Sequence, residues 1–140
     1  MASVQQLTGM RWVYLVAAEL SRLGFIASPT SRSAIGADIL ATNQLCTQAY
    51  AIQVKTNART FGFWLLNKNS KEMVSKSHIY IFVNLRQSKE GEVIEYYIVP
   101  SKVVAEKMYI EEKTNSTWYS FALKDALPYQ NKWELLGDPK

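Results

Sequence analysis

Residues 36–56 read Gly36-Ala-Asp-Ile-Leu-Ala-Thr-Asn-Gln-Leu-Cys-Thr-Gln-Ala-Tyr-Ala-Ile-Gln-Val-Lys-Thr56, and this stretch decides the fold. Its second half, residues 49–56, has the look of a strand. Successive strand side chains point to opposite faces, so Ile52 and Val54 share one side and Gln53 and Lys55 the other. An amide and a lysine two residues apart conflict with simple core packing in an otherwise apolar strand, and functional sites are where such conflicts are expected. The first half closes a strand over about 34–41, in which Asp38 is a second polar interruption. Residues 42–47 read as a turn. Pairing through that turn sets Asp38 beside Gln53 and Lys55, so the three polar groups converge.

Upstream, residues 4–23 form an amphipathic helix. Leu7, Met10, Tyr14, Ala17 and Leu20 recur at three- and four-residue steps, and Val13, Val16 and Leu23 widen the face. Gly24 suits the left-handed position that ends a helix. Phe25 and Ile26 begin a short extended piece, and residues 27–33 read as a polar linker with one proline. Downstream, strands are expected over 79–85 and 93–99, joined by a short connection with Gly91 that fits a hairpin. The long segment 57–77 between the second and third strands carries an apolar run at 61–66 that packs inward, and it is placed to cover the site as a loop. Pro100 ends the fourth strand, and Ser101 is read as the N-cap of a helix through Met108. The tail holds Trp118, Tyr119, Phe121, Leu127, Tyr129 and Trp133 among others, too much apolar surface to leave in water. The expectation is one domain over 1–140, with a core at about 4–110 and the aromatic-rich segment 111–140 packed on it. The class is α+β, as an α/β/α arrangement in which helices flank a central mixed sheet of about four strands.

Composition narrows the chemistry. The 140 residues fit one domain, and 48% hydrophobic with 20% charged residues is ordinary for a globular protein. No apolar run approaches the ~18–20 residues of a membrane span. The opening Met1-Ala-Ser-Val-Gln-Gln has neither the basic start nor the long apolar core of a signal peptide, which gives the expectation of a cytoplasmic protein without membrane attachment. One cysteine, Cys46, and one histidine, His78, exclude an internal disulfide and a Cys/His zinc site, and they argue against a Ser-His-Asp or Cys-His hydrolase. Any metal chemistry must then use oxygen ligands, which points to Mg²⁺ or Mn²⁺ rather than zinc. The net charge of +4 is only a mild hint of a polyanionic partner, but from Lys55 to Lys89 there are seven Lys or Arg and a single acid, Glu72. That run is either a solvated surface or a phosphate-facing stripe, and the sequence favours neither.

The set Asp38, Gln53 and Lys55 suits phosphodiester hydrolysis. A carboxylate and a side-chain carbonyl oxygen, with the backbone at Val54, would hold a divalent cation that polarises phosphate and lowers the pKa of bound water. The lysine would position or activate that water and offset charge growing on the phosphate. Arg32 and Ser33 before the first strand, and Thr56, Asn57 and Arg59 after the triplet, are candidate nucleic-acid contacts. For Arg32 and Ser33 a plain polar loop is the blander account. His78 and Cys46 read as structural or incidental.

With Asp38 followed by Gln53-Val-Lys55, and with this order of elements, the sequence resembles the PD-(D/E)XK nuclease superfamily, which includes restriction endonucleases and archaeal Holliday-junction resolvases. The resemblance covers about residues 4–110. It implies a restriction endonuclease-like core and a metal-dependent endonuclease acting on DNA in restriction, repair or recombination. Asp38, Gln53, Lys55 and, from the leading helix, Glu19 are then the catalytic set, and Asp38, Gln53 and Val54 the ligands of Mg²⁺ or Mn²⁺. It further implies a homodimer for double-strand cleavage and leaves room for a separate target-recognition subunit. Two departures stand out. Ala37 replaces the proline of the motif, and Gln53 replaces its acidic ligand, as in the Gln-x-Lys triplet of the Mrr-like branch. The loss of that charge weakens cation binding and motivates an alternative: a nuclease-fold protein that binds nucleic acid or a partner without cutting.

Overall fold

A computed structural model describes residues 1–31, 36–57 and 62–140. The leading helix, α1, spans Val4–Arg22. It starts in a capping box: the Ser3 hydroxyl accepts from the Gln6 amide at 3.2 Å and the Gln6 side chain accepts from the Ser3 amide at 2.8 Å. It ends where Gly24 takes a φ of +100°, a conformation that favours glycine. Trp12, Val16 and Leu20, at four-residue steps, bury the inner face of the helix almost completely.

That face lies on a five-stranded sheet. Its strands are β1 (Ile26–Pro29), β2 (Ile39–Thr42), β3 (Ala49–Asn57), β5 (His78–Ser88) and β6 (Gly91–Pro100), in the order β1-β2-β3-β5-β6. Only β3 and β5 run parallel. Ile39, Ile52, Ile79, Ile81, Val83 and Ile98 meet α1 on one face of the sheet. Tyr80, Phe82, Tyr97 and Val99 form a second, largely aromatic core on the other face. Every residue of β5 from His78 to Asn84 is buried, as a strand covered on both sides must be.

The aromatic core is roofed by a second sheet of three antiparallel strands, ordered β4-β8-β7, with β4 at Phe63–Leu66, β7 at Tyr109–Glu112 and β8 at Thr117–Ala122. Phe121 stacks on Phe82 with ring centroids 4.9 Å apart, and Trp64 sits 5.0 Å from the same ring. The Trp64 indole N–H donates to the Val83 carbonyl at 2.9 Å, so the buried ring has no unmet donor. Helix α2 (Ser101–Lys107) adds Val104, and the short α3 (Leu123–Ala126) adds Ala126.

The α+β class, the mixed sheet and the flanking helices follow the sequence reading, with four differences. The sheet has five strands rather than about four, because residues 26–29, read as extended chain and linker, form an edge strand on β2. The segment 57–77, read as a loop, holds β4 and a 3₁₀ turn at Lys68–Lys71. The first site strand begins at Ile39 rather than near Ala34, and residues 34 and 35 lie outside the described residues. Ser101 does not cap α2. The residue at the cap is Pro100, and the Ser101 hydroxyl instead accepts from the Ser75 amide at 3.0 Å and donates to the Ser75 carbonyl at 2.9 Å. Among the described residues no helix is long and apolar enough to cross a membrane.

Candidate active site

Asp38 stands one residue before β2. Its amide donates to the Ile52 carbonyl at 2.8 Å, and its own carbonyl accepts from the Thr30 amide at 2.9 Å. The β2–β3 register ends at Ile39↔Ile52, and Asp38 is tied to that last pair through the Ile52 carbonyl. One oxygen of the carboxylate, Oδ2, accepts from the Val54 amide at 2.8 Å. That amide points toward β2 just where β2 has run out, so the Asp38 side chain supplies the acceptor that a longer strand would have supplied. The amide and carbonyl of one strand residue project to the same edge. The Val54 carbonyl therefore points into the space beside the Asp38 carboxylate.

Gln53 and Lys55 lie on the other face of β3 from α1, in register with Tyr80 and Phe82 of the parallel neighbour β5. The aromatic core on that face takes water away from the lysine. Burial pushes the Lys55 ammonium below the usual lysine range, and the Asp38 charge opposes this only in part. Among the described residues neither the Lys55 amine nor the Gln53 amide makes a side-chain hydrogen bond, and Lys55 has no ion pair within 4 Å. A desolvated amine within the field of a carboxylate is unusual for a purely structural lysine, which ordinarily extends its charged end into solvent.

On the α1 side of Asp38 is a cleft of ≈ 280 Å³, lined among others by Met10, Val13, Tyr14, Thr30, Asp38 and Thr56. Thr56, a candidate contact, is thus beside Asp38. Its neighbour Asn57 turns inward instead, donating to the Phe63 carbonyl. Glu19 is not brought to this group. Its carboxylate accepts from the Arg22 guanidinium at 2.5–3.2 Å and lies near Tyr96 of β6, whose hydroxyl is pushed up first by burial and then by the Glu19 charge. Nine residues of helix separate Glu19 from Met10, roughly 13 Å of rise. Arg32, Ser33 and Arg59 lie outside the described residues.

Some members of the basic run from 55 to 89 are engaged within the fold. Lys71 donates to the Ala105 carbonyl at 2.9 Å, Arg86 pairs with Glu95 at 2.8 Å, and Lys89 sits in the turn between β5 and β6. His78, read as incidental, is 6% exposed, and both its ring nitrogens face backbone carbonyls. A lone histidine carries no sequence signal of such a role.

Among the described residues no three His, Cys, Asp or Glu side chains converge on one point. Of the expected ligands, the Asp38 carboxylate and the Val54 backbone are brought together at the end of β3, while Gln53 stands on the face of that strand beside Tyr80. This set suits a hard divalent cation that keeps several of its waters, and its single negative charge makes the hold weak.

No protein-family model matches the chain, and no curated protein matches it. Among solved structures it is similar to the Holliday junction resolvase Hjc of Archaeoglobus fulgidus, with a TM-score of 0.54 at 16% identity over 85% of this chain and 92% of that one. The chain has the restriction endonuclease-like fold.

Proposed function

We propose that the chain is a divalent-metal-dependent deoxyribonuclease. The observation that carries this reading is the pairing at the open end of β3: a carboxylate fixed on the Val54 amide and, within its field, a desolvated lysine with no ion-pair partner. In this reading Asp38, the Val54 carbonyl and Gln53 hold Mg²⁺ or Mn²⁺, and the cation, when bound, polarises a phosphate oxygen and acidifies water. Asp38 supplies the only carboxylate and orients the group through its second bond to the strand. Lys55, its charge only partly offset by Asp38, is suited to position the attacking water and to offset the growing phosphate charge. Thr56 and the cleft beside Asp38 receive the strand flanking the cut.

The fold shared with a Holliday junction resolvase supports DNA as the substrate class and repair or recombination as the setting. One small domain has one site and cuts one strand, so cutting both strands requires a homodimer. A second reading, DNA binding without cleavage, is favoured by one observation: Glu19 is held by Arg22, which leaves Asp38 as the site's sole acid.

The test incubates the purified protein with supercoiled plasmid and with four-way DNA junctions in Mg²⁺ or Mn²⁺, beside Asp38→Asn and Lys55→Ala. Metal-dependent cutting by the parent, lost in both variants, is the expected result. Binding without cutting, equal in all three proteins, would establish the non-catalytic reading in its place.

A further inference from the structure

The segment that carries Asp38 is held by three consecutive carbonyls, each with its own donor. The Asp38 carbonyl accepts from the Thr30 amide at 2.9 Å, and the Ala37 carbonyl accepts from the Thr30 hydroxyl at 2.6 Å. The Gly36 carbonyl lies 2.7 Å from Nε2 of His78. Thr30 follows directly on β1, so two of the ties come from one side. The third comes from the opposite side, from the first residue of β5. His78 also reaches a third segment, because its Nδ1 lies 3.1 Å from the Met73 carbonyl. The ring is buried and packs 5.1 Å from Tyr80. Gly36 and Met73 touch as well: a Cβ on Gly36 would collide with the Met73 methyl, and Gly36 has a φ of +80°. One imidazole therefore brackets the Asp38 segment to the chain that leads into β5.

We propose that His78 is the positioning residue for the Asp38 carboxylate. By tying Gly36 to β5 it fixes the point from which Asp38 reaches the Val54 amide. The consequence for catalysis rests on the nuclease reading; the positioning itself does not. A neutral imidazole carries one N–H and the imidazolium two. The short contact to Gly36 identifies Nε2–H as the donor that matters, and the longer one to Met73 is the lesser tie. The two amide replacements separate these roles. The nitrogen of a glutamine reaches about as far as Nε2, and that of an asparagine about as far as Nδ1. His78→Gln therefore keeps the bond to Gly36, while His78→Asn keeps only the bond to Met73.

Two measurements on the full chain decide the matter. The first is hydrogen exchange at the Val54 amide, referred to the Ile81 amide in the middle of the same sheet so that a general loss of stability cancels. Losing the Asp38 acceptor lowers Val54 protection by about fivefold or more. This fall is expected in His78→Ala and His78→Asn, with His78→Gln within about twofold of the parent. The second is cleavage of a four-way junction at saturating metal. There kcat is expected to drop by up to ~10²-fold in the Ala and Asn variants, with KM unchanged and with recovery in His78→Gln. Equal Val54 protection in all three variants and the parent would overturn the positioning, as would equal losses in Gln and Asn. If the parent cuts no DNA, the nuclease reading fails, and the exchange series still decides whether His78 positions Asp38.

Discussion

Replacing Asp38 separates its structural from its chemical role. In the folded chain Oδ2 accepts the Val54 amide at 2.8 Å, in a partly buried strand edge with no other acceptor opposite that amide among the described residues. A hydrogen bond to a charged group contributes about 1.5–3 kcal/mol. Asp38→Ala forfeits this and leaves a backbone donor without a partner. Unfolding entropy of ~2.1 cal/mol/K per residue gives this 140-residue chain about 0.3 kcal/mol/K. The expected fall in Tm is therefore about 5–10 °C. Asp38→Asn keeps a carbonyl oxygen for the same amide, now as a neutral pair, and should fall by only about 2–5 °C. Both variants remove the site's one negative charge, and both should lose metal-dependent cleavage by at least about a hundredfold. The assay is thermal unfolding by tryptophan fluorescence beside junction cleavage in Mg²⁺. An Ala variant that melts within about 1 °C of the parent would refute the Asp38–Val54 bond. An Asn variant that cuts as well as the parent would refute the carboxylate as a ligand, whatever its stability.

Lys55→Met should raise Tm while abolishing cleavage, because burial lowers the Lys55 pKa below 10.5 and the charged form is carried at a cost. The sign follows from proton counts: between the folded value and 10.5 the unfolded chain binds more protons, so the parent gains stability with rising pH in that window and bears the full cost below it. The advantage of Lys55→Met should thus be greatest at neutral pH and shrink toward pH 10.5 in melts across that range; an advantage that grows with pH would contradict the burial. Gln53→Glu should lower the Mg²⁺ concentration for half-maximal cleavage by about tenfold or more. That is ~1.4 kcal/mol, well inside the ~4 kcal/mol between unit charges ~4 Å apart at an effective dielectric of about 20. An unchanged metal titration would remove Gln53 from the ligand set. Gly36→Ala should destabilise through both its positive φ and the collision with Met73, and Met73→Ala in the same chain should recover only the collision part. A full recovery of Tm in the double variant would show that the backbone conformation costs nothing.

Much of the fold was legible because its periodic signals are local. The three- and four-residue steps over residues 7–23 mark α1, although Trp12, outside the expected face, is buried while Leu7 and Tyr14 of that face are exposed, and the runs in β3, β5 and β6 mark strands whatever they pair with. What was not legible depends on distant partners. Ile26, Ala27, Ser28 and Pro29 have the composition of a linker because β1 is an edge strand with little of its surface buried. β4 finds its partner in β8 more than fifty residues later, and nothing local in either segment announces the pairing. The same division holds at the site. Asp38 and Lys55 announce themselves as polar breaks in apolar strands. Glu19 occupies a helix position that the pattern alone cannot distinguish from Met10 or Tyr14, yet only the latter two line the cleft beside Asp38. His78 has neighbours in sequence that say nothing of Gly36, 42 residues earlier.

The arrangement proposed as a site depends on unequal strand lengths. β2 pairs with β3 only from Ile39↔Ile52 onward, so residues 53–57 of β3 have no backbone partner on that edge among the described residues. An unpaired edge ordinarily invites another strand. Here a side chain closes it: Asp38 takes the Val54 amide, and among the described residues nothing takes the Val54 carbonyl beside that carboxylate. A β2 extended by two residue pairs would reach Val54 and use both its groups in the ladder, and its carbonyl would not be free for a cation. Lys55 loses water because the face it shares with Tyr80 and Phe82 is covered. The register therefore matters more than the number of acids. A one-residue slip of β3 would turn Lys55 toward α1 and bring Val54 to the aromatic face, destroying the site without altering any of its residues.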